Sequence, residues 1–363
     1  MQKTAIVCVS NDLSTDQRVH KTCLTLQKCG YWVVEVGRLL PDSLPLKRPY
    51  FVLRKKLRFR SGPLFYAELN IRFFLYLLLA DVDLIFANDL DILPAAFLAA
   101  KLRNKRLIYD SHEYFTETPE LIHRPVTQAI WKGIENFLFP RMTDIITVNE
   151  SIAKLYSDKF NKKVVVCRNI ALARRTECKL KKEDLGISSD KKIILYQGAL
   201  NVGRGLEWIL DAMPYIEQVV LLIIGDGDIR AKLQKQTKKL RIEEKVIFLG
   251  RIDSNKLAEY TRLADIGLCL LENKGWSYYY SLPNRVFDYI HAGVPILATD
   301  FPEIAKIVNT YKTGILINHY EPEYLAKVIN ESLSTPINTD HFEKIQEELC
   351  WEEEEKVLIE VIS

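Results

Sequence analysis

Residues 193–213 read IILYQGALNVGRGLEWILDAM, and this stretch decides the fold. Ile193–Tyr196 is a short apolar run of the kind that forms a strand buried on both faces. The loop Gln197–Gly205 contains three glycines, Gly198, Gly203 and Gly205, and one arginine, Arg204. The segment Leu206–Met213 then has helical character. A strand, a glycine-containing loop and a helix start form an anion site, because the free backbone N–H groups there point outward. Arg204 adds a permanently charged, forked donor suited to phosphate oxygens. The other reading is a plain tight turn, and the glycines together with Arg204 favour phosphate over it.

The same alternation runs through the rest of the chain. Toward the N-terminus, Thr4–Val9, Trp32–Val36, Leu84–Ala87, Arg106–Tyr109, Ile145–Val148 and Val164–Cys167 are expected strands. Helices are expected over Asp16–Cys29, Tyr66–Ala80 and Pro94–Leu102. After a charged link, Arg174–Lys192, the pattern restarts with Ile193–Tyr196, Val219–Ile224, Val246–Leu249, Ile266–Leu270, Ile296–Ala298 and Ile315–Ile317. Short apolar strands alternating with helical segments predict an α/β protein of two doubly wound, Rossmann-like domains facing across a cleft. The expected division is 1–170, 171–345 and a closing helix over 346–363. In such sheets ligands sit beyond the C-terminal strand ends, so the loops there carry the functional candidates.

Composition narrows the classes. With 48% hydrophobic and 27% charged residues the chain is neither disordered nor fibrous. The longest apolar runs, Phe73–Ala80 and Val219–Ile224, fall short of the roughly 18 residues of a spanning helix. Ala5–Val9 is followed at once by Asp12 and Asp16, which suits a first strand better than a secretion signal. Seven cysteines lie singly with no CxxC pair, as expected of core residues in a reducing compartment. A cytoplasmic location is therefore expected. Charge is uneven: residues 1–170 carry 25 Lys+Arg against 17 Asp+Glu, and the remainder 25 against 30. Part of the basic excess is the run Lys47, Arg48, Arg54, Lys55, Lys56, Arg58 and Arg60, interleaved with Phe51, Leu53, Leu57 and Phe59. That run reads either as a solvated loop or as contact with an anionic membrane surface. No nucleic-acid module accompanies it.

Several loops invite chemistry. Gly225-Asp226-Gly227-Asp228 is a near miss of the dinucleotide fingerprint and reads more simply as a turn. In ENKGWSYYYSLPNRVFDYIHAG, residues 272–293, Ser281 or Asn284 can cap a helix starting near Pro283. Asp288 lies four residues beyond Asn284, on the same helix face, where a carboxylate can accept two hydrogen bonds from a ribose diol. It reads as that or as an exposed helix acid, and its apolar neighbours weigh against the second. His112 follows the strand Arg106–Tyr109, where a ligand role and a structural role are evenly balanced. The pairs Asp81/Asp83 and Asp89/Asp91 read as acids before a strand and at a helix start, not as a metal site. HExxH, P-loop and GxSxG motifs are absent from the sequence.

Taken in order, these pieces resemble the retaining nucleotide-sugar glycosyltransferases of family 4, which have the GT-B fold. The matching residues are Asp16-Gln17-Arg18-Val19, Asp110-Ser111-His112-Glu113, Arg168-Asn169, Gly198 with Arg204-Gly205, Ile224-Gly225-Asp226-Gly227, Phe248-Leu249-Gly250, Leu282–Tyr289, and Ala292-Gly293-Val294-Pro295. The C-terminal Trp351–Ile362 looks like the helix that returns to the first domain in this fold. The resemblance implies that Asp288, the second acid of an E-x7-E motif, binds the donor ribose. It implies that Arg204 contacts the donor diphosphate and that His112 lies near the donor sugar. The implied donor-binding set is Asn169, Gly198, Arg204, Gly205, Asp226, Tyr280, Ser281, Leu282, Pro283, Asn284, Arg285 and Asp288, with His112, Arg204 and Asp288 catalytic. Asp16, Arg18 and Glu113 are implied on the acceptor side, and Arg54, Lys55, Lys56 and Arg58 are the membrane-facing candidates.

Two positions depart from the family pattern. Tyr280 stands where the first acid of E-x7-E belongs, and Ala199 stands where many members have a second phosphate-binding arginine. Arg285, one helical turn beyond Tyr280-Ser281, is the candidate substitute for the missing charge. The expected activity is retaining transfer of a sugar from a nucleotide-diphosphate sugar to an acceptor hydroxyl, in cell-surface glycan, lipopolysaccharide or polysaccharide biosynthesis. The expected partners are that donor, a lipid-linked or glycan acceptor and an anionic membrane surface, with no metal, no cofactor and no nucleic acid. A UDP-sugar 2-epimerase on the same fold, or a non-catalytic GT-B scaffold subunit, are the alternatives.

Overall fold

The apolar runs are parallel strands in a computed structural model, which describes residues 2–14, 16–41, 43–172 and 179–363, the side chains of residues 254 and 255 excepted. Two compact units emerge: Met1–Asn169 with Glu353–Ser363, and Ile170–Glu352. The expected link Arg174–Lys192 lies partly outside the described residues, and Lys182–Leu185 within it is a short 3-10 turn.

The first unit has strands β1 (Thr4–Asp12), β2 (Trp32–Arg38), β3 (Phe51–Lys55), β4 (Leu84–Asn88), β5 (Arg106–Ser111), β6 (Asp144–Thr147) and β7 (Val165–Val166). Their order is β3-β2-β1-β4-β5-β6-β7, all parallel, so the direction of winding reverses between β1 and β4. Helices α1 (Gln17–Lys28), α2 (Gly62–Leu79), α3 (Leu93–Arg103), α4 (Pro119–Ile122), α5 (Pro125–Leu138) and α6 (Glu150–Phe160) connect them. Asp16 starts α1 by accepting the Val19 N–H at 3.0 Å, and Asn149 does the same for α6 through Ile152.

Strand β3 is a strand that the sequence reading missed. Phe51–Lys55 pairs with β2 in register from Val34↔Phe51 to Arg38↔Lys55, so the basic run is not a loop throughout. Arg54 bonds Asp12 at 2.9 Å and the Leu44 carbonyl at 2.8 Å, while Lys55 lies 4.6 Å from the centre of the Tyr76 ring. These two cations are spent on the edge of the sheet. Lys56, Arg58 and Arg60 stay exposed.

The second unit has β8 (Lys192–Gln197), β9 (Val219–Ile224), β10 (Val246–Gly250), β11 (Ile266–Cys269), β12 (Ile296–Thr299) and β13 (Gly314–Ile317). The parallel order is β10-β9-β8-β11-β12-β13, with the winding reversal between β8 and β11. The helices are α7 (Leu206–Ala212), α8 (Arg230–Leu240), α9 (Ser254–Thr261), α10 (Trp276–Tyr279), α11 (Asn284–Ala292), α12 (Pro302–Tyr311), α13 (Pro322–Ser334) and α14 (Phe342–Glu348). Ile194 and Tyr196 enter one apolar cluster, Ile193 and Leu195 the other. Successive side chains of a strand point to opposite faces, so both faces of this sheet are covered. Each fully buried leucine or isoleucine contributes about 1.5–3 kcal/mol.

The last helix, α15 (Trp351–Ile362), begins in the second unit and ends in the first. There the backbone N–H and Nε of Arg168 each donate to Glu354 at 2.6 Å, and Thr25 and Lys28 both reach Glu355 at 2.7 Å. No helix among the described residues is long and apolar enough to cross a membrane.

Candidate functional site

The winding reversal between β8 and β11 positions the site of the second unit, because the loops leaving those two strands diverge there. Gly198, just past β8, has φ +131°, and Gly225, just past β9, has φ +132°. A Cβ on Gly225 would stand 1.9 Å from the Gly198 carbonyl oxygen, so only glycine lets the two strand ends approach this closely. At the mouth of α7, the Glu272 N–H donates to the Gly203 carbonyl at 3.0 Å and ties the loop after β11 to the loop after β8.

Two guanidinium groups face this region. Arg204 lies 4.6 Å from the centre of the Tyr278 ring, and Arg285 lies 4.4 Å from that of Tyr196. Stacking on a ring face fixes the plane of each fork. Arg285 is only 7% exposed, and its Nη2 would be 3.4 Å from a Cβ on Gly198. Nε of Arg204 and Nη1 of Arg285 are buried and meet no acceptor within the protein. An unmet buried N–H is costly, more so on a charged group, so an arrangement that leaves two of them open suits an anion.

Asp288, on the second turn of α11, accepts a 2.9 Å hydrogen bond from Nε2 of Gln197. The Gln197 carboxamide oxygen in turn accepts from Thr261 Oγ1 at 2.8 Å. This carboxylate is not an exposed helix acid: it is aimed by the last residue of β8. The helix itself starts differently from the expectation. Pro283 occupies its cap position with no side-chain cap bond, and Ser281 Oγ donates back to the Tyr278 carbonyl at 2.8 Å. Asn284 is exposed and Leu282 half-buried. Tyr280 stacks on Trp276 with ring centres 5.5 Å apart, and Asp226 is 3.5 Å from Arg230.

In the first unit the candidates separate. Arg18 is 4% exposed, makes two bonds to Asp110 (2.9 and 2.7 Å) and donates to the Cys167 carbonyl at 2.9 Å. It ties α1 to β5 and to the chain just past β7. Asp16 is the cap of α1, and Asn169 accepts from Lys21 at 2.9 Å within this unit. Glu113 is half-buried, and its carbonyl accepts from Ser111 Oγ at 2.8 Å.

His112 is enclosed by carboxylates. Its backbone N–H and Nδ1 face Asp89 at 2.9 and 3.3 Å, and its Nε2 is 3.4 Å from Asp110 and 3.2 Å from the Asn88 carboxamide oxygen. Burial disfavours the imidazolium, but Asp89 and then Asp110 outweigh it and push the pKa from 6.5 up to about 9. Burial likewise works against an ionised Asp110, yet Arg18 and His112 hold its carboxyl well below the usual range. Asp89 sits at φ +65°, a strained conformation for a residue with a Cβ. It does not simply complement a helix start, as the sequence suggested, but meets both the main chain and the ring of His112.

Sequence reasoning missed Gln197, Thr261, Tyr196, Tyr278 and Asp89. Gln197 was within reach as the polar residue ending an apolar strand; the other four needed the fold.

Among curated proteins, the chain is 26% identical over 252 residues to the alpha-monoglucosyldiacylglycerol synthase of Streptococcus pneumoniae, covering 63% of this chain and 55% of that protein. It is also 26% identical over 269 residues to a Campylobacter jejuni alpha-1,4-N-acetyl-D-galactosaminyltransferase named for a PP-undecaprenol-linked glycan, covering 72% and 67%. An uncharacterized glycosyltransferase of Methanocaldococcus jannaschii, 26% identical, matches over 38% of its own length. The chain thus spans between about two-fifths and two-thirds of these relatives. Among solved structures, the sucrose-phosphate synthase of Thermosynechococcus elongatus superposes with a TM-score of 0.80 at 16% identity, covering 99% of this chain and 98% of that one. Anabaena HepE in complex with UDP-glucose does so at 0.76 and 15%, covering 99% of each. These likenesses show the two-sheet α/β architecture, the GT-B fold, over the whole chain. Residues 179–348, which hold Gly198–Gly205, Arg285 and Asp288, match the model of the family described as glycosyl transferases group 1.

Proposed function

We propose that the chain is a retaining, metal-independent glycosyltransferase of family 4, moving a sugar from a nucleoside-diphosphate sugar to an acceptor hydroxyl. The observation that carries this reading is the pair of stacked arginines, Arg204 and Arg285, each with a buried N–H that no protein group accepts. Breaking the anomeric C–O bond develops positive charge on the sugar and negative charge on the departing diphosphate. Two fixed guanidinium groups meet that negative charge without reorganising at the moment of reaction. Arg285 then takes the part of the cation that Ala199 cannot supply. Asp288, oriented by Gln197, accepts from the ribose hydroxyls. Retention follows from attack on the face that the diphosphate leaves.

His112, held as an imidazolium at neutral pH, is a hydrogen-bond donor rather than a base. That counts against an epimerase, which needs a group able to take a proton from the sugar. Two relatives are named for lipid-anchored molecules, and on that basis the acceptor is a lipid-linked or other glycan of cell-surface, lipopolysaccharide or polysaccharide biosynthesis. The protein works at the inner face of the cytoplasmic membrane, where Lys56 and Arg58 remain available to anionic lipid.

A panel of sugar nucleotides tests the reading. Slow or acceptor-stimulated release of nucleoside diphosphate, with the anomeric configuration kept in the product, is expected. Interconversion of the free sugar nucleotides indicates an epimerase, and no binding or turnover of any donor indicates a scaffold.

A further inference from the structure

The outer surface of the first unit carries an unusual helix layer. Ile71, Leu75 and Leu79 of α2 are 59, 49 and 83% exposed, and Leu98 and Leu102 of α3 are 45 and 62% exposed. Each set repeats every four residues, so it forms one stripe along its helix. The two helices pack against each other, and Arg103 at the end of α3 donates to the carbonyls of Leu77 and Ala80 at the end of α2. The stripes thus lie on two helices packed side by side. On α5, Val126 and Ile130 are likewise 74 and 59% exposed.

The helices of this layer carry few acids, although Asp81 is exposed just past the end of α2. α2, α3 and α5 contain only two carboxylates, Glu68 and Glu135. Glu135 is buried against Lys159 at 2.6 Å. Glu68 accepts the backbone N–H groups of Arg58 and Phe59 and pairs with Arg72 at 2.8 Å. Arg72 also holds the Lys56 carbonyl at 3.1 Å, so the exposed cationic turn Lys56–Arg60 is strapped alongside α2. Exposed Arg72 and Lys101 complete the set, and the described residues of the three helices present no exposed carboxylate.

We propose that this layer is a membrane-docking face, with the α2 and α3 leucine stripes entering the headgroup–acyl boundary of an anionic phospholipid leaflet. Lys56, Arg58, Arg72 and Lys101 bind the headgroups around them. Apolar contact flanked by cations is the chemistry of an interfacial anchor. A second copy of the chain fits less well: two-fold pairing would set the same four cations against themselves, with no exposed carboxylate on the three helices to meet them. The inference rests on the membrane-side acceptor of the proposed function and gives it a place on the molecule.

Vesicle co-sedimentation tests it, using the full chain with phosphatidylcholine vesicles, with and without phosphatidylglycerol. Binding should require phosphatidylglycerol and weaken with salt. It should fall at least about tenfold in the variant L75Q/L79Q/L102Q, whose substituted side chains are already in water. Lys56→Gln with Arg58→Gln should weaken it less, by removing charge alone. Sedimentation velocity on the same samples identifies the competing occupant. A wild-type dimer that the leucine variant dissociates, or equal vesicle binding by variant and wild type, overturns the proposal. Donor affinity in solution, read by calorimetry without vesicles, should be the same in all variants. Failure of the wild type to bind phosphatidylglycerol vesicles, with its donor binding intact, refutes this surface alone, and absence of donor binding with docking intact refutes the transferase reading alone.

Discussion

Nε2 of Gln197 donates to Oδ2 of Asp288 over 2.9 Å, joining two residues 91 positions apart. The end of β8 thereby aims a carboxylate on α11, and Thr261 holds the other end of the Gln197 carboxamide. The order of donors matters: Thr261 orients the carboxamide, and the carboxamide orients the carboxylate.

Asp288→Ala should therefore weaken donor binding by about 1.5–3 kcal/mol, the usual loss for a charged hydrogen bond. Gln197→Leu keeps the carboxylate and removes what positions it, so its loss should be smaller but measurable. Calorimetric Kd values for a sugar nucleotide check both. Wild-type affinity in Asp288→Ala, with folding intact, removes the ribose assignment.

The arginines are distinguishable by their surroundings. Arg204→Ala and Arg285→Ala should each lower kcat by roughly 10²-fold, as for other lost electrostatic stabilisers. Arg204→Lys should recover part of the activity, because a half-exposed ammonium can still reach a phosphate. Arg285→Lys should recover little, because a lysine cannot reproduce the flat fork stacked on Tyr196. Single-turnover rates measure this, and equal rescue by lysine at both sites would contradict the stacked-fork account.

Much of this was legible in the chain because parallel strands buried on both faces are short apolar runs. Val219–Ile224 could be read to the residue for that reason. Strand β3 was not, since an edge strand needs neither two apolar faces nor low charge, and Arg54 and Lys55 disguised it. At the site, Arg204 and Asp288 were visible as residue types beside glycines and a helix start. Arg18 was visible as part of a motif, but its partner Asp110 lies 92 residues away and no local pattern records that pairing. The dual bond of Asp89 to His112 was hidden by the same distance problem, over 23 residues.

The strand ends of the second unit should tolerate no side chain at Gly225. Alanine there would have to adopt φ +132° and place its Cβ 1.9 Å from the Gly198 carbonyl oxygen. Either the strands part or the Gly198 turn moves, at a cost of about 2–4 kcal/mol. Urea unfolding should show that loss, with weakened donor binding because Gly198 adjoins Arg285. Gly186→Ala, also at positive φ but with open space around it, serves as the control and should cost roughly 1–2 kcal/mol.

The last prediction concerns pH and the His112 cluster. The folded pKa of His112 is raised from 6.5 to about 9, so folding binds its proton more tightly than the unfolded chain does. The stabilisation is fully present below about 6.5 and is lost as pH climbs through 9. At about 1.4 kcal/mol for each unit of difference it amounts to roughly 3 kcal/mol at most. Buried carboxyl groups act at lower pH, and burial raises Asp89 and Glu135 among them. Burial pushes Glu35 and Asp91 up to about 7, so ionising them destabilises the fold between pH 4 and 7. Above pH 7 that change is largely complete. Buried Cys8 and Cys167, pushed up to about 12, add a decline that begins near their ordinary value of 9. The comparison that isolates the histidine is therefore wild type against His112→Gln, in which all of those groups remain. At pH 6.5 the variant should be the less stable by thermal unfolding of the first unit's transition. Its deficit should shrink steadily between pH 7.5 and 9.5. A deficit that stays constant across that range would mean that His112 is held by packing alone and carries no charge between Asp89 and Asp110.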